Sequence, residues 1–421
     1  MDYLKLQTNN FFLKGKINIT GSKSESNRLL ILKALYPNLI NIKNISNSDD
    51  TYFLKKALFT TKKVININHS GTAMRFLTAF FSIKKNKEII LTGSYRMQER
   101  PISILVETLK KLGGKIFYEK KKGYPPLRII GSNLLGGTIS IDANLSSQYI
   151  SAIMLIASQF KNGLKIFLSK KITSLSYIKM TFNILKKIGI NVYWKKNIII
   201  INKNNILKNK KILIESDWSS ASYYYSLVAF CKKANLNLKF FTKKSIQGDK
   251  VITNIYNSFF NVKTFFKKKK LILKKKIIKR KKKYIFLDLN STPDIAQTIV
   301  VTCAGLKIKC FLTGLETLKI KETDRLKALK IELFKLGIKS IKTNNSLLLN
   351  NFNFNFNFNF NFKKKNMYIY TYDDHRMAMS FSTLSIIYPI SILDPYVVSK
   401  SYTNFWIDLK KLGFFFKTKQ L

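Results

Sequence analysis

A helix-ending motif recurs at nearly constant spacing along the chain. Helical segments close on Gly113, Gly189, Gly337 and Gly413, which are 76, 148 and 76 residues apart. The longer interval is two periods of 74 residues, and Asn261 lies near its midpoint. Glycine, and after it asparagine, ends helices in the left-handed conformation and lets the chain turn into a strand. Repeats of this length are single supersecondary units, so the spacing predicts about six of them.

A further helix is expected upstream of each motif, so that every repeat reads strand, helix, strand, helix, strand. The starts of these first helices are expected near Gly71, Ser146, Ser219, Asp294 and Asp374. A shorter first unit has its helix starts at Ser24 and Asp50. Six units are too few and too large for an open solenoid, so we predict two groups of three.

The charge of the chain is extreme but diffuse. It has 75 Lys and Arg against 22 Asp and Glu, a net charge of +53, and all but eight of the basic residues are Lys. A dedicated nucleic-acid-binding protein tends to cluster its charge and to use Arg, so we expect no nucleic-acid partner. An apolar content of 46% allows a large core and argues against disorder.

The sequence indicates neither a membrane protein nor a secreted one. None of its long uncharged stretches is the predominantly apolar run of about 20 residues that a membrane span needs, and its first residues resemble no signal peptide. Cys231, Cys303 and Cys310 are odd in number and lie in apolar context, as is typical of reduced, buried thiols. We expect a cytoplasmic protein.

Two low-complexity stretches interrupt the repeats. Residues 267–283 contain eleven Lys, and residues 351–362 are six Asn-Phe dipeptides. We expect an exposed hairpin or loop in each place, with strand-like alternation in the second, and we assign neither a function.

Chemically capable side chains concentrate where helices are expected to begin. Unpaired backbone N–H groups and the helix dipole favour anions there. Ser, Thr and Asp are also ordinary N-caps, but a cation beside them is unfavourable unless an anion is bound. In so Lys-rich a chain, Arg should persist where its planar fork is needed. Six of the eight Arg lie in these motifs: Arg28, Arg75, Arg96, Arg100, Arg325 and Arg376. We expect structural ion pairs for Arg75 and Arg96.

Other site chemistries fit poorly. No P-loop is present, and no GxGxxG follows a strand. His69 and His375 are the only histidines, which is too few for a histidine-based metal site. No Gly-x-Ser-x-Gly elbow accompanies His375 in a hydrolase-type triad. We therefore expect no metal.

Six motifs follow one another along the chain. They are Gly21-Ser22-Lys23-Ser24-x-Ser26-Asn27-Arg28, Gly71-Thr72-Ala73-Met74-Arg75, Arg96-Met97-x-Glu99-Arg100-Pro101, Ser146-Ser147-Gln148, Lys321-Glu322-Thr323-Asp324-Arg325 and Asp374-His375-Arg376-Met377-Ala378-Met379. Any one is weak, but in this order they are highly specific. They resemble the EPSP synthase (3-phosphoshikimate 1-carboxyvinyltransferase) family of enolpyruvyl transferases, and the match covers nearly the whole chain.

The resemblance implies an α/β fold of two similar domains. Each would be an inside-out α/β barrel of three βαβαββ units, with the active site in the cleft between the domains. We place the shikimate 3-phosphate-side domain at residues 14–216 and the second domain at residues 1–13 plus 217–421. The implied reaction moves the enolpyruvyl group of phosphoenolpyruvate to the 5-hydroxyl of 3-phosphoshikimate and releases phosphate, on the shikimate route to chorismate and aromatic amino acids. A monomer without metal or organic cofactor is implied.

The family pattern also implies ligands for each substrate. 3-Phosphoshikimate would be held by Lys23, Ser24, Arg28, Ser146, Ser147, Gln148, Ser174, Tyr177, Asp294 and Lys321. Phosphoenolpyruvate would be held by Lys23, Gly71, Arg100, Gln148, Arg325, Arg376 and Lys400. The two substrates together carry roughly six negative charges near pH 7, and seven cations of these sets would face them.

The implied mechanism is addition followed by elimination through a tetrahedral intermediate. Asp294 matches the general base that accepts the 5-hydroxyl proton, and Glu322 would protonate the methylene carbon of phosphoenolpyruvate and later take a proton back. Lys23 would stabilise charge on the intermediate and on the departing phosphate.

The chain departs from the family pattern in four places. His69 and Thr317 stand where Asn is common, Leu175-Ser176 replaces Lys-Pro, and Phe76 replaces Pro. We assign no substrate contact to the first two, and Phe76 leaves sensitivity to glyphosate open.

Two rival functions remain. Many members of the sister family, which acts on UDP-N-acetylglucosamine, use a loop Cys, whereas residues 94–101 carry Arg instead. A basic RNA-binding or RNA-processing protein on a related fold rests on the net charge alone.

Overall fold

The computed structural model describes residues 2–8, 11–144, 146–203, 208–276, 284–352 and 367–420. The chain forms two compact units. The middle unit is Gly21–Ile214, and the terminal unit combines Met1–Thr20 with Glu215–Leu421.

Strands and helices alternate throughout both units. The strands are β1 (Asp2–Gln7), β2 (Phe12–Ile17), β3 (Ile40–Lys43), β4 (Val64–Asn66), β5 (Glu88–Thr92), β6 (Lys115–Tyr118), β7 (Leu127–Ile130), β8 (Gly137–Asp142), β9 (Leu164–Ser169), β10 (Val192–Lys195), β11 (Ile198–Ile201), β12 (Lys210–Leu213), β13 (Lys233–Lys239), β14 (Val262–Lys267), β15 (Lys270–Lys275), β16 (Tyr284–Asp288), β17 (Lys309–Thr313), β18 (Ile338–Lys342), β19 (Leu347–Phe352), β20 (Tyr368–Ile369), β21 (Ile390–Leu393) and β22 (Phe415–Gln420). The α-helices are α1 (Lys23–Leu35), α2 (Asp49–Leu58), α3 (Gly71–Ser82), α4 (Tyr95–Gln98), α5 (Ser103–Lys111), α6 (Ser147–Ile156), α7 (Leu175–Ile188), α8 (Trp218–Phe230), α9 (Ile252–Phe259), α10 (Ala296–Leu306), α11 (Arg325–Lys335), α12 (His375–Ser382) and α13 (Phe405–Lys411). Short 3-10 helices lie at Ala157–Gln159, Gly248–Val251, Pro293–Ile295, Glu316–Ile320, Thr383–Ile386 and Pro395–Lys400.

One strand order recurs among the sheets. The middle unit contains β4-β5-β7-β6 and β8-β9-β11-β10, and the terminal unit contains β16-β17-β19-β18. In each sheet the first two strands are parallel, and the remaining neighbours are antiparallel. Parallel neighbours need a crossover connection, and a helix supplies it between the first and second strands. Each of these sheets is therefore a βαβαββ unit.

Strands from distant parts of the chain complete the other units. β1 takes the third place in β20-β21-β1-β22, and β2 takes the first place in β2-β13-β15-β14. In the sixth sheet β12 pairs in parallel with β3. Each compact unit thus holds three sheets within the described residues. The predicted α/β class, with two groups of three repeats, is confirmed.

The residues that were predicted to end the second helix of each repeat all adopt the left-handed conformation. Their φ angles are 98° at Gly113, 96° at Gly189, 59° at Asn261, 75° at Gly337 and 86° at Gly413. They follow α5, α7, α9, α11 and α13 in that order. Because a Cβ atom is strained in this conformation, the period seen in the sequence is the period of this one turn.

The first helices of the repeats form the core of each unit. α3 contacts α6 in the middle unit, and α10 contacts both α8 and α12 in the terminal unit. Nearly every residue of these helices is buried, as expected for helices covered on all sides. The strands alternate buried and exposed residues, so the sheets pack on the helices with one face and meet solvent with the other.

Hydroxyl groups join the core helices of the terminal unit at matching depths. Ser222 on α8 lies 3.0 Å from Thr298 on α10, whose hydroxyl is 3.4 Å from Ser380 on α12. One turn further on, Thr302 donates to Ser226 over 2.8 Å. Ser226 also lies 3.0 Å from Thr383, which follows α12. The contacts therefore advance in the same order along all three helices, which means that the helices run in the same direction. Their N-termini therefore lie at one end of the unit.

The compact units divide at Thr20–Gly21 and at Ile214–Glu215, whereas we expected boundaries at 13–14 and 216–217. The first difference arises from β2, because its backbone pairs with β13 over its whole length. This pairing assigns residues 14–17 to the terminal unit.

Several smaller expectations can be compared with the structure. The Lys-rich run begins as a hairpin, in which β14 and β15 are antiparallel around the turn Lys268-Lys269. Residues 277–283 and 353–366 lie outside the described residues.

The three cysteines are free and buried. In the described part of the chain, no helix is both long enough and apolar enough to cross a membrane.

The left-handed turn at Asn261 yields a stability prediction. Asn261→Ala should lower the free energy of unfolding by about 1 kcal/mol, because Ala tolerates a positive φ less well than Asn. Asn261→Gly should change the free energy of unfolding by roughly a few tenths of a kcal/mol, since Gly adopts this conformation without strain. Urea unfolding of the three proteins measures both effects. Equal losses in the two variants would mean that the Asn side chain, and not the backbone conformation, stabilises the turn.

Candidate active site

Two clusters of polar and charged residues lie near helix starts, one in each unit. The middle cluster contains Lys23, Asp50, Gly71, Arg100 and Gln148. The terminal cluster contains Asp294, Lys321, Glu322, Arg325, Asp374, Arg376 and Lys400.

In the middle cluster, Lys23 is the first residue of α1. The hydroxyl of Ser22 caps this helix by accepting from the backbone of Glu25. The ammonium group of Lys23 lies 2.9 Å from Asp50 Oδ2 at the start of α2. Both side chains are largely buried. The backbone carbonyl of Asp50 accepts from Ser70, which caps α3. Three helix starts are therefore connected through Asp50.

Arg100 lies directly over the first residue of α3. A Cβ atom on Gly71 would stand 2.4 Å from an Arg100 guanidinium nitrogen, so only glycine leaves room for this contact. The guanidinium is 8% exposed, and its Nε has no hydrogen-bond partner in the described ranges. The next residue, Pro101, is fixed because its carbonyl accepts from Arg75 over 2.9 Å and from Tyr149 over 2.6 Å. The result is a buried cation at the N-terminus of α3, next to a backbone carbonyl that two donors hold.

Arg28 is buried among neutral acceptors. Its guanidinium donates to Thr181, to Ser151 and to the carbonyls of Ser24 and Tyr177. Burial lowers its pKa to about 10, against the opposing effect of Tyr177 and a nearby glutamate. The hydrogen bonds orient the guanidinium but carry no negative charge. An anionic ligand would compensate it.

The remaining predicted ligands of the middle unit lie at the starts of α6 and α7. Ser146 caps α6 by accepting from the backbone of Gln148, and the side chain of Gln148 reaches Thr72 over 3.5 Å. Ser147 is buried. Ser174 has a φ of 51° and makes no capping bond at the start of α7.

The terminal cluster is built around Arg325, which is 2% exposed. Its Nε lies 2.6 Å from Asp374, one terminal nitrogen lies 3.1 Å from Asp294, and the other lies 2.8 Å from Glu322. Burial disfavours the charged guanidinium, but the carboxylates of Asp374, Glu322 and Asp294 outweigh burial. The pKa of Arg325 is therefore raised above its ordinary value.

Three further cations complete the terminal cluster. Arg376 lies 3.0 Å from Asp294, Lys400 lies 3.4 Å from Glu322, and Lys321 lies 3.9 Å from Asp294. Of the two predicted proton-transfer groups, Asp294 thus contacts two arginines and a lysine, and Glu322 contacts one arginine and one lysine. The two lysine contacts are the longest of these.

Asp249 adjoins the terminal cluster. Its carboxylate accepts from Ser219 and is almost fully buried. Burial and the nearby charge of Asp294 raise its pKa to about 7, although Ser219 and Arg376 act in the opposite direction.

A sequence model described as EPSP synthase (3-phosphoshikimate 1-carboxyvinyltransferase) matches residues 53–409. The chain belongs to the EPSP synthase family. A 3-phosphoshikimate 1-carboxyvinyltransferase from Bacteroides fragilis is 41% identical over 96% of both chains. The enzyme of the same name from Buchnera aphidicola of Cinara cedri is 36% identical over 94% of both.

Solved structures of EPSP synthase and of a related enolpyruvyl transferase share this fold. EPSP synthase from Acinetobacter baumannii aligns over the full length of both chains with a TM-score of 0.75 at 20% identity. The enolpyruvyl transferase NikO from Streptomyces tendae aligns with a TM-score of 0.72 at 12% identity, covering 100% of this chain and 99% of NikO.

The site residues expected of an EPSP synthase fall into both units. The structure brings Lys23, Gly71, Arg100 and Gln148 to neighbouring helix starts in the middle unit. It brings Asp294, Glu322, Arg325 and Arg376 into direct contact in the terminal unit. Lys400 does not open an α-helix. It ends the 3-10 helix Pro395–Lys400, and α13 begins only at Phe405.

Two of the departures from the EPSP synthase pattern, His69 and Phe76, have structural partners of their own. His69 Nδ1 lies 2.8 Å from the hydroxyl of Ser94, and Ser94 in turn caps α4. Phe76 is buried, with its ring 5.3 Å from the guanidinium of Arg28. Thr317 lies buried within the 3-10 helix Glu316–Ile320.

Sequence reasoning selected the cations and two of the acids that hold them, Asp294 and Glu322, but missed three other acids. Asp50 contacts Lys23, Asp374 contacts Arg325, and Asp249 lies beside Asp294. All three acids stand in helix-start motifs, so a signal was present. The expected ion pairs of two other arginines gave mixed results. Arg96 pairs with Glu99 over 2.8 Å on the surface, whereas Arg75 donates to backbone carbonyls and to Met97 sulfur.

The raised pKa of Asp249 predicts a pH-dependent stability difference. The folded state binds this proton more tightly than the unfolded state, whose pKa is about 4. The contribution of Asp249 to stability is therefore full below about pH 4 and is lost as the pH rises towards 7. As the pH rises from 5 to 8, the free energy of unfolding of the Asp249→Asn variant should increase relative to that of the parent protein by on the order of 2 kcal/mol. Urea unfolding at both pH values measures this. A difference that is independent of pH would contradict the assignment.

Proposed function

We propose that this chain transfers the 1-carboxyvinyl group of phosphoenolpyruvate to the 5-hydroxyl of 3-phosphoshikimate and releases phosphate. Membership of the EPSP synthase family and the named relatives support this reaction. The structural observation that carries it is the guanidinium of Arg100, seated over Gly71 at the start of α3 without a carboxylate partner among the described residues. A small anion with an oxygen-rich group is the ligand that such a position favours.

Phosphoenolpyruvate is assigned to Lys23, Gly71, Arg100, Gln148, Arg325, Arg376 and Lys400. Arg100 offers the bidentate fork that phosphate and carboxylate groups accept best. Lys400 contacts Glu322 at 3.4 Å and is 9% exposed, so a short movement allows its ammonium group to donate to an anion.

3-Phosphoshikimate is assigned to Lys23, Ser24, Arg28, Ser146, Ser147, Gln148, Ser174, Tyr177, Asp294 and Lys321. The starts of α6 and α7 supply hydroxyl and backbone N–H donors, which suit a phosphate group. Arg28 supplies a buried positive charge without a carboxylate in contact. Its hydrogen bonds to Ser151 and Thr181 hold the guanidinium in one orientation.

The proposed chemistry is addition followed by elimination. Asp294 accepts the proton of the 5-hydroxyl while Glu322 protonates the methylene carbon of phosphoenolpyruvate. Glu322 then removes a proton from the resulting methyl group as phosphate leaves. Arg325 lies between these carboxylates and contacts both, which fixes their orientation. Lys23 stabilises negative charge on the departing phosphate.

We further propose that the enzyme acts as a monomer in the cytoplasm. The buried free thiols of Cys231, Cys303 and Cys310 support a reducing compartment.

The reaction is tested by phosphate release from the purified chain. Release should require phosphoenolpyruvate and 3-phosphoshikimate together and should be absent when either is omitted. Folded protein that releases no phosphate with both present would overturn the proposed function. Release with UDP-N-acetylglucosamine as the acceptor would assign the chain to the rival activity.

Arg100→Lys tests the residue that carries the proposal. It preserves the charge but loses the fork, so kcat/KM for phosphoenolpyruvate should fall by about 100-fold, the equivalent of one or two charge-assisted hydrogen bonds. Lys270→Gln on the β14–β15 hairpin is the control. It removes an exposed charge from the Lys-rich run and should leave kcat/KM within about twofold. The reverse pattern would show that the site is placed wrongly.

A further inference from the structure

The turn that leads into α12 has an unusual backbone. Tyr372 and Asp373 have φ angles of 54° and 53°, so two consecutive residues with side chains adopt the left-handed conformation. Such a pair persists only where surrounding contacts fix it. The next residue, Asp374, caps α12 and holds Arg325. The conformation of this turn therefore sets where the terminal cluster places its charges.

Glu332 on α11 makes the contacts that fix the turn. Its fully buried carboxylate accepts from the hydroxyl of Tyr372 over 2.6 Å and from the backbone N–H of Tyr370 over 3.3 Å. Lys335 donates to both carboxylate oxygens over 2.8 Å and lies 4.3 Å from the ring centre of Tyr370. A buried carboxylate needs several partners, and most of these come from the segment before α12.

One helix thus holds this segment at two points. Arg325 and Glu332 are seven residues apart on α11, which places them on the same face two turns from each other. Arg325 binds Asp374 after the turn, and Glu332 binds Tyr372 within it. Arg376 then lies 3.0 Å from Asp294.

We propose that Glu332, acting through the hydroxyl of Tyr372, is a positioning residue for the terminal cluster. It holds the Tyr372–Asp373 turn so that Asp374 meets Arg325 and Arg376 meets Asp294. It touches no substrate itself. The inference rests on the proposed function, in which Arg325 and Arg376 bind phosphoenolpyruvate.

Tyr372→Phe is the sharpest test because it removes one hydroxyl and keeps the ring. KM for phosphoenolpyruvate should rise about tenfold, the equivalent of one hydrogen bond to a charged group. KM for 3-phosphoshikimate should stay within about twofold of the parent value, because its other assigned ligands are unchanged. Tyr370→Phe is the matched control. It removes a hydroxyl two residues away and leaves the backbone N–H that Glu332 accepts, so both KM values should stay at the parent level.

Glu332→Gln and the double variant with Tyr372→Phe complete the cycle. If both residues act through the same hydrogen bond, the double variant should raise KM for phosphoenolpyruvate little beyond Glu332→Gln alone. A lower melting temperature with unchanged KM in Tyr372→Phe would show a merely structural role and overturn the inference. Fully additive increases would also overturn it. Should Glu332→Gln fail to fold, Tyr372→Phe decides alone. An inactive parent protein would refute the proposed function, whereas an active parent with a normal Tyr372→Phe variant would refute only this inference.

Discussion

The terminal cluster depends on one buried guanidinium. Arg325 contacts carboxylates that precede three different helices: Asp294 before α10, Glu322 before α11 and Asp374 before α12. Removing one partner from a buried ionic network leaves uncompensated charge and is strongly destabilising. The three helix starts are therefore fixed relative to one another by electrostatics, and α10 and α12 are also joined by the contact between Thr298 and Ser380. The same interaction brings Asp294 and Glu322 together, which is what acid–base chemistry on one substrate pair requires.

The use of arginine follows from how many partners each guanidinium has. Arg28 makes four hydrogen bonds, Arg75 contacts three acceptors, and Arg325 contacts three carboxylates. An ammonium group cannot reproduce such planar, multipoint contacts. Lys has filled exposed positions of this chain, where charge alone is enough, and the net charge of +53 is mostly of that kind. Arg96 and Arg128 differ, since both are exposed and paired with glutamates, and Arg100 differs in having no carboxylate partner among the described residues.

The sequence was most informative where a single residue type satisfies a local backbone demand. The left-handed turns at Gly189 and Asn261 could be read from spacing, because few other residues end a helix that way. The placement of β1 and β2 could not, because pairing between distant strands leaves no local pattern. The cations of the candidate site were found because they stand in recognisable helix-start motifs. Asp50 and Asp249 were missed as partners because a contact between residues distant in the sequence leaves no local pattern either.

The capping residues divide the chemistry between the two units. In the middle unit, α1, α3 and α6 are capped by the hydroxyls of Ser22, Ser70 and Ser146. A neutral cap satisfies a backbone N–H but leaves the positive end of the helix dipole uncompensated. In the terminal unit, α8, α11 and α12 are capped by aspartates, whose charge already compensates the dipole. The helix starts of the middle unit are therefore suited to binding anions. Those of the terminal unit hold carboxylates and guanidinium groups in fixed contact, which suits proton transfer.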